Sequence, residues 1–268
     1  MIGASGEIAN SAFFPEGRDV KALLDGAEQK VFSIANKYRN DEREGFQPMR
    51  YATTEAVRYI QEVGRLGTGI TGFATGFDKL DEMTAGLQPG DLVIVAARPS
   101  MGKTTFSMNI VENIALGLQK PAAVFSLEMP ARMLAMRMLA AQSGIDLGLL
   151  SKGKVETGVQ RARFTEATKT LNKAPIFIDD GSNLSPMELR ARARRLYRQQ
   201  GELGVILVDY LQLMSLPDST ENRATQMSEI SRSLKLLAKE LNVPVIALSQ
   251  LNRSVESRGI APSDVGYS

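Results

Sequence analysis

The chain has 268 residues, 43% of them hydrophobic and 23% charged, enough to bury one large core with an appendage. It contains no cysteine and no histidine, which excludes disulfides, thiolate nucleophiles, Cys- or His-based zinc sites and an imidazole general base. Proton transfer must therefore use a carboxylate, Lys or Tyr, metal binding must use oxygen ligands as Mg²⁺ does, and a net charge of +2 makes any phosphate-backbone binding depend on a local cluster of cations.

Met1 to Gly17 is short and polar and is expected to be loose. It lacks the basic and apolar regions of a secretory signal, and no apolar run in the chain approaches bilayer length, so a cytoplasmic protein without a membrane partner is expected. Asp19 to Tyr38 carries Val20, Leu23, Leu24, Ala27, Val31, Ile34, Ala35 and Tyr38 at spacings of three and four. That pattern predicts a helix with one apolar face. A charged connection, Arg39 to Gly45, follows it. The stripe must be covered, either by its own domain or by a neighbouring subunit.

Thr53 to Leu66 predicts a second, shorter helix. Beyond it, apolar strands are predicted at Leu92 to Ala96, Ala123 to Leu127, Ile176 to Ile178, Val205 to Asp209 and Pro244 to Ser249. Helices are predicted between them, near Thr104 to Leu118, Pro130 to Ser143, Pro186 to Gln200 and Thr225 to Leu241. Strands apolar throughout, separated by helix-length segments, indicate an α/β fold with a mainly parallel sheet covered on both faces. Ligands of such sheets bind at the carboxyl ends of the strands.

The first predicted strand breaks into Ala97-Arg-Pro-Ser-Met-Gly-Lys-Thr-Thr105. A strand, a tight loop and then Gly102-Lys103-Thr104 at a helix start is the form of a nucleotide phosphate-binding loop. Lys103 would reach the outer phosphates and the Thr104 hydroxyl would hold Mg²⁺, although Ala97 stands where a first glycine is usual. Other strand ends carry polar residues suited to the same chemistry. Glu128 follows an apolar strand and is the candidate to orient and deprotonate a water. Asp209 ends Val-Ile-Leu-Val and has the form of the carboxylate that binds Mg²⁺. Gln250 is placed to sense an outer phosphate. Asp179 and Asp180 are read as a strand-to-turn transition. Arg190, Arg194 and Arg198 share a predicted helix face and are read as solvated rather than as a nucleic-acid contact. Met129, Met133, Met136 and Met138 are read as packing.

Several long strings make the chain resemble the RecA-like, P-loop ATPase domain of DnaB-type replicative DNA helicases. They are Thr71 to Leu80, Thr84 to Asp91, Ala97 to Thr104, Phe125 to Pro130, Asp209 to Met214, Glu229 to Leu241 and Ser249 to Arg253. That family also carries Ala at the place of Ala97. The resemblance implies a homo-hexameric ring that encircles single-stranded DNA and unwinds replication-fork DNA from 5′ to 3′ with ATP and Mg²⁺. It also implies contacts with primase and a helicase loader. Ser100, Met101, Gly102, Lys103, Thr104 and Thr105 fall on phosphate-binding positions, and Arg137 on a nucleotide-contacting arginine. Glu128 falls on the catalytic base, Asp209 on the Mg²⁺ carboxylate and Gln250 on the phosphate sensor.

The stripe from Val20 to Tyr38 resembles a linker helix that docks on the adjacent subunit. Residues 1–17 are accordingly expected to be the tail of a missing N-terminal helical domain, 18–50 the linker and its connection, and 51–268 a C-terminally truncated ATPase domain. After Arg258 the family pattern is lost, and with it the arginine that a neighbour would receive in trans. The expectation for this chain is ATP binding with weak or no turnover. A non-catalytic ATP-binding remnant, or another RecA-like ATPase such as a recombinase, stays open as an alternative.

Overall fold

The computed structural model describes residues 2–14, 23, 27, 48–66, 69–155, 157–182, 184–214 and 223–251. The chain divides into two compact units, Met1–Glu62 and Val63–Ser268. In the first, α1 (Ile2–Phe13) is helical where a loose segment was expected. Ala9, Ala12 and Glu7 are good helix formers and override the polar average. Of the predicted linker helix only Leu23 and Ala27 are described, both helical; the rest of it and its polar connection, Arg39 to Gly45, lie outside the described residues. Helix α2 (Met49–Leu66) begins a turn earlier than predicted. There the Thr53 and Thr54 hydroxyls donate to the Met49 and Arg50 carbonyls.

The second unit runs through α3 (Asp78–Thr84), β1 (Leu92–Ala97), α4 (Lys103–Glu112), β2 (Ala122–Ser126), α5 (Ala131–Ser143) and α6 (Leu147–Ser151). It continues with α7 (Gly158–Lys173), β3 (Ile176–Asp179), α8 (Pro186–Gln200), β4 (Val205–Asp209), α9 (Arg223–Leu241) and β5 (Val245–Gln250). The five strands form one sheet in the order β1-β5-β4-β2-β3, and every pairing is parallel. The predicted strands all form. Helix α8 starts on a capping box, Ser185 with Glu188, with Pro186 in its first turn, and stops at Gly201 in a left-handed conformation.

Helices α3, α6 and α7 and the break in the helix that begins with α4 were not predicted. The long helix expected from Thr104 to Leu118 ends as an α-helix at Glu112 and continues as a π-helical turn, Asn113–Gly117. Helix α7 had no prediction, because it buries little: Ala167 is its one fully buried residue. Its start is marked by a second capping box, Thr157 with Gln160.

Strand alternation sorts the core into two layers. Val124, Val205, Leu207, Ile246 and Leu248 pack with Met108, Ile110 and Ile114 of the α4 segment and with Leu134 and Met138 of α5. Ala123, Phe125, Ile206, Val208, Val245 and Ala247 pack with Leu189 and Ala193 of α8 and Ile230, Leu234 and Leu237 of α9. The α4 layer matters for function, because Asp209 continues the row of Val205 and Leu207 and Gln250 continues that of Ile246 and Leu248. The segment before β1 is clamped to α4. Buried Asp81 accepts from the Thr75 and Gly76 amides and the Thr75 hydroxyl, and the Asn113 amide donates to the Thr75 carbonyl.

Contrary to expectation, Arg190 and Arg194 of α8 do not belong to a solvated face, whereas Arg198 is exposed. Arg190 and Arg194 both grip Glu240 of α9, at 2.9 and 2.6 Å, and Arg192 grips Asp179 at 2.8 Å. Asp179 does serve its turn, accepting from the Gly181 amide, while Asp180 accepts from the Ala131 amide at the start of α5.

Candidate active site

Strands β1, β5, β4 and β2 lie side by side and parallel, so their carboxyl ends share one rim. From β1 the chain enters the loop ahead of α4, where Ser100 and Gly102 both take positive φ, 64° and 82°. Nothing stands within 4 Å of where a Cβ at Gly102 would lie. The glycine is needed for its left-handed backbone, not for space. Positive φ at Ser100 and Gly102 and the start of a ten-residue helix that has no side-chain cap make this loop a favourable place for an anion. Ser100 and Met101 are exposed on this loop and Thr105 in the first turn of α4; the Met101 amide donates to the Arg98 carbonyl at 3.3 Å.

Lys103, the first residue of α4, is 9% exposed. Its ammonium sits 4.8 Å from the centroid of the Tyr210 ring, a cation–π contact that steadies a buried charge. The next residue, Thr104, donates its hydroxyl to Oδ2 of Asp209 at 2.8 Å. Asp209 is 1% exposed, and its other oxygen, Oδ1, is buried without a partner. The Asp209 carbonyl accepts from the Leu127 amide at 2.7 Å, which ties the end of β4 to the residue before Glu128.

Burial pushes the Asp209 carboxyl above the ordinary carboxylate range. The Thr104 hydrogen bond draws it back, the Glu128 charge adds to the rise, and the Lys103 and Arg137 charges oppose it. Each of those side chains is therefore near enough to act on one carboxylate. Arg137, on α5, has its Nε buried without a partner. Gln250 lies one strand away, paired with Ala97 at the mouth of the loop. The structure thus gathers Lys103, Thr104, Asp209, Glu128 and Arg137, and sets Gln250 beside them through its backbone.

Two contributors were not read from the sequence. Tyr210 lies against Lys103, and its adjacency to Asp209 was the only available signal. Gln212 binds Ser249 and Gln250; it lies in the Asp209 to Met214 string that carries the resemblance, but no role was assigned to it there.

The residues fit a nucleotide with Mg²⁺. Unpartnered buried polar atoms, Asp209 Oδ1 and Arg137 Nε, are rare in a finished core and point to a missing partner. One carboxylate and one hydroxyl are the oxygen donors that Mg²⁺ accepts when phosphate and water complete its shell. Among the described residues no group of three acidic side chains forms a separate metal cage, and no helix is long and apolar enough to cross a membrane.

Known proteins resemble the chain over nearly its whole length. The chain is 50% identical over 264 residues to the replicative DNA helicase DnaB of Pasteurella multocida, covering 96% of this chain and 56% of that protein. It is 48% identical over 262 residues to that of Haemophilus influenzae, covering 97% and 56%. The chain thus spans a little over half the length of these relatives. Among solved structures, one ATPase domain superposes with a TM-score of 0.73 at 30% identity, over 80% of this chain and 75% of that one. A DnaB-like replicative helicase, solved in a study of its interactions with primase, gives 0.72 at 27% identity, over 97% and 59%. The fold is accordingly RecA-like. Residues 72–263, which contain the whole rim described above, match the DnaB-like helicase C-terminal domain, and the chain belongs to that family.

Proposed function

We propose that this chain is the motor portion of an ATP-driven replicative DNA helicase. The observation that carries the reading is the Thr104–Asp209 hydrogen bond at 2.8 Å, beside a buried lysine and an unpartnered carboxylate oxygen. Loop amides and Lys103 bind the outer phosphates of ATP. Thr104 and Asp209 hold Mg²⁺, which when bound neutralises charge on the phosphates. Glu128, at the exposed mouth of the site, orients the attacking water and takes its proton. With no histidine in the chain, a carboxylate is the base suited to neutral pH. Arg137 meets charge on the nucleotide, and Gln250 reports whether the outer phosphate is present. Ser100, Met101, Gly102 and Thr105 contribute the shape of the cradle.

On this reading the partners are single-stranded and replication-fork DNA, further copies of the chain in a hexameric ring, a primase and a helicase loader, in the cytoplasm. The relatives' names and the primase studied with the solved helicase support it. The test is binding of a fluorescent ATP analogue with Mg²⁺, and hydrolysis with and without single-stranded DNA. Lys103→Ala is expected to abolish both, as loss of a buried charge-assisted contact to phosphate requires. Unchanged hydrolysis in that variant refutes the assignment.

A further inference from the structure

We infer that Gln212 is a positioning residue: its side-chain amide acts as a one-residue extension of β4 that fixes the backbone of Gln250 and so sets where the Gln250 side chain stands. The inference rests on the nucleotide reading above. Strand β4 pairs with β5 only from Ile206 to Val208, opposite Val245 to Ala247. Beyond that, among the described residues, no strand lies beside the β4-facing edge of β5. Gln212 fills the place. Its Nε2 donates to the Ser249 hydroxyl at 2.9 Å and to the Gln250 carbonyl at 3.2 Å. Its Oε1 accepts from the Gln250 amide at 3.3 Å.

A carboxamide offers a donor and an acceptor in one plane, as a peptide group does. Gln250 is therefore held from both sides. On the other edge it pairs with Ala97, and the Leu251 amide donates to the Ala97 carbonyl at 3.2 Å. Ala97 is the residue from which the phosphate loop departs. Ser249 continues the row of Val245 and Ala247, so gripping it leaves Gln250 on the α4 face with Lys103 and Asp209. The Gln212 carbonyl in turn accepts from Arg223, the first residue of α9, at 3.3 Å. One residue thus joins, through its side chain, the segment after Asp209 to the phosphate-sensing residue and, through its backbone carbonyl, to the start of a helix.

The experiment measures affinity of the purified chain for fluorescent ATP and ADP analogues with Mg²⁺, alongside thermal unfolding. Gln212→Met keeps the length and removes every side-chain hydrogen bond. It is expected to lower the ratio of ATP to ADP affinity about threefold to tenfold, the size of one lost hydrogen bond. Gln250→Ala is expected to lower the same ratio, and the double variant to lower it no further, because the two act as a unit. A ratio unchanged in Gln212→Met, or a parent chain that does not prefer ATP, overturns the inference. Equal weakening of both nucleotides does so as well, since that marks a merely structural role. Should Gln212→Met fail to fold, Ser249→Ala removes one of the bonds and decides in the same direction. Lys103→Ala separates the two levels. If it retains both analogues, the nucleotide reading fails and takes this inference with it. If it loses both while Gln212→Met keeps the ratio, only the inference fails.

Discussion

Asp209 and Glu112 are carboxylates that the fold keeps at a cost. Both are nearly inaccessible to solvent, both have an oxygen without a partner, and burial raises both above their ordinary values of 3.8 and 4.5. A carboxyl that holds its proton more tightly folded than unfolded weakens the fold as pH rises. Between the ordinary value and the raised one the unfolded chain ionises first, so stability falls across that window and stays lower above it. Asp209→Asn removes this penalty and keeps an acceptor for Thr104. At neutral pH it is expected to stabilise the nucleotide-free chain by about 1–3 kcal/mol, with the gain vanishing below the ordinary value of 3.8. It should also lose the Mg²⁺-dependent part of ATP binding. Glu112→Gln is expected to shift stability with the same sign while leaving nucleotide affinity alone. Thermal unfolding across pH checks both, and a neutral-pH loss of stability in Asp209→Asn would show that the attractions of Lys103, Arg137 and Thr104 outweigh burial.

Helices α8 and α9 show how differently ion pairs count. Glu240 is 13% exposed and receives Arg194, 17% exposed, and Arg190, 28% exposed. Removing the shared carboxylate leaves two guanidinium groups at a packed helix interface. Glu240→Ala is therefore expected to cost about 2–4 kcal/mol, against under about 1 kcal/mol for Glu202→Ala in the exposed pair with Lys120. Denaturant unfolding of the two variants measures the contrast. Comparable losses would contradict the interface role. The sequence pattern put these arginines on one helix face but not against Glu240, because helical periodicity reports a face and never the partner some fifty residues onward. The same limit explains other elements. Helix α8 was legible to its last residue, since Ser185, Pro186 and Gly201 are local signals. The π-helical turn after Glu112 has no local signature, and α7 lacks the apolar stripe that periodicity detects. Thr104 and Asp209 were readable as parts of two motifs. The grip of Gln212 on Gln250 depends on β4 ending short of β5, which only the strand register reveals.

At the scale of the molecule, the strand order decides what one chain can do alone. Because β1, β5, β4 and β2 are neighbours, a single copy brings the phosphate loop, Gln250, Asp209 and Glu128 to one rim, and the proposed nucleotide binding is expected to need no second subunit. Hydrolysis asks for more. The charge that develops on the transferred phosphoryl group is stabilised in related enzymes by an arginine, often from a neighbour, worth roughly 10³-fold or more in rate. Among the described residues Lys103 and Arg137 are the cations felt at Asp209, and in the proposed function both are assigned to the nucleotide on its own side of the site. Binding and turnover should therefore part company as the chain is concentrated. Affinity for Mg²⁺ and ATP is expected to stay constant from dilute to concentrated protein. Turnover per chain is expected to be weak when dilute and to rise with assembly, further when an ATP analogue or single-stranded DNA promotes it. Sedimentation velocity and steady-state hydrolysis over the same concentrations provide the comparison. Turnover that stays flat while mass increases would mean that a neighbouring copy brings no charge to this rim; a rise in step with mass would place the missing cation on the adjoining subunit.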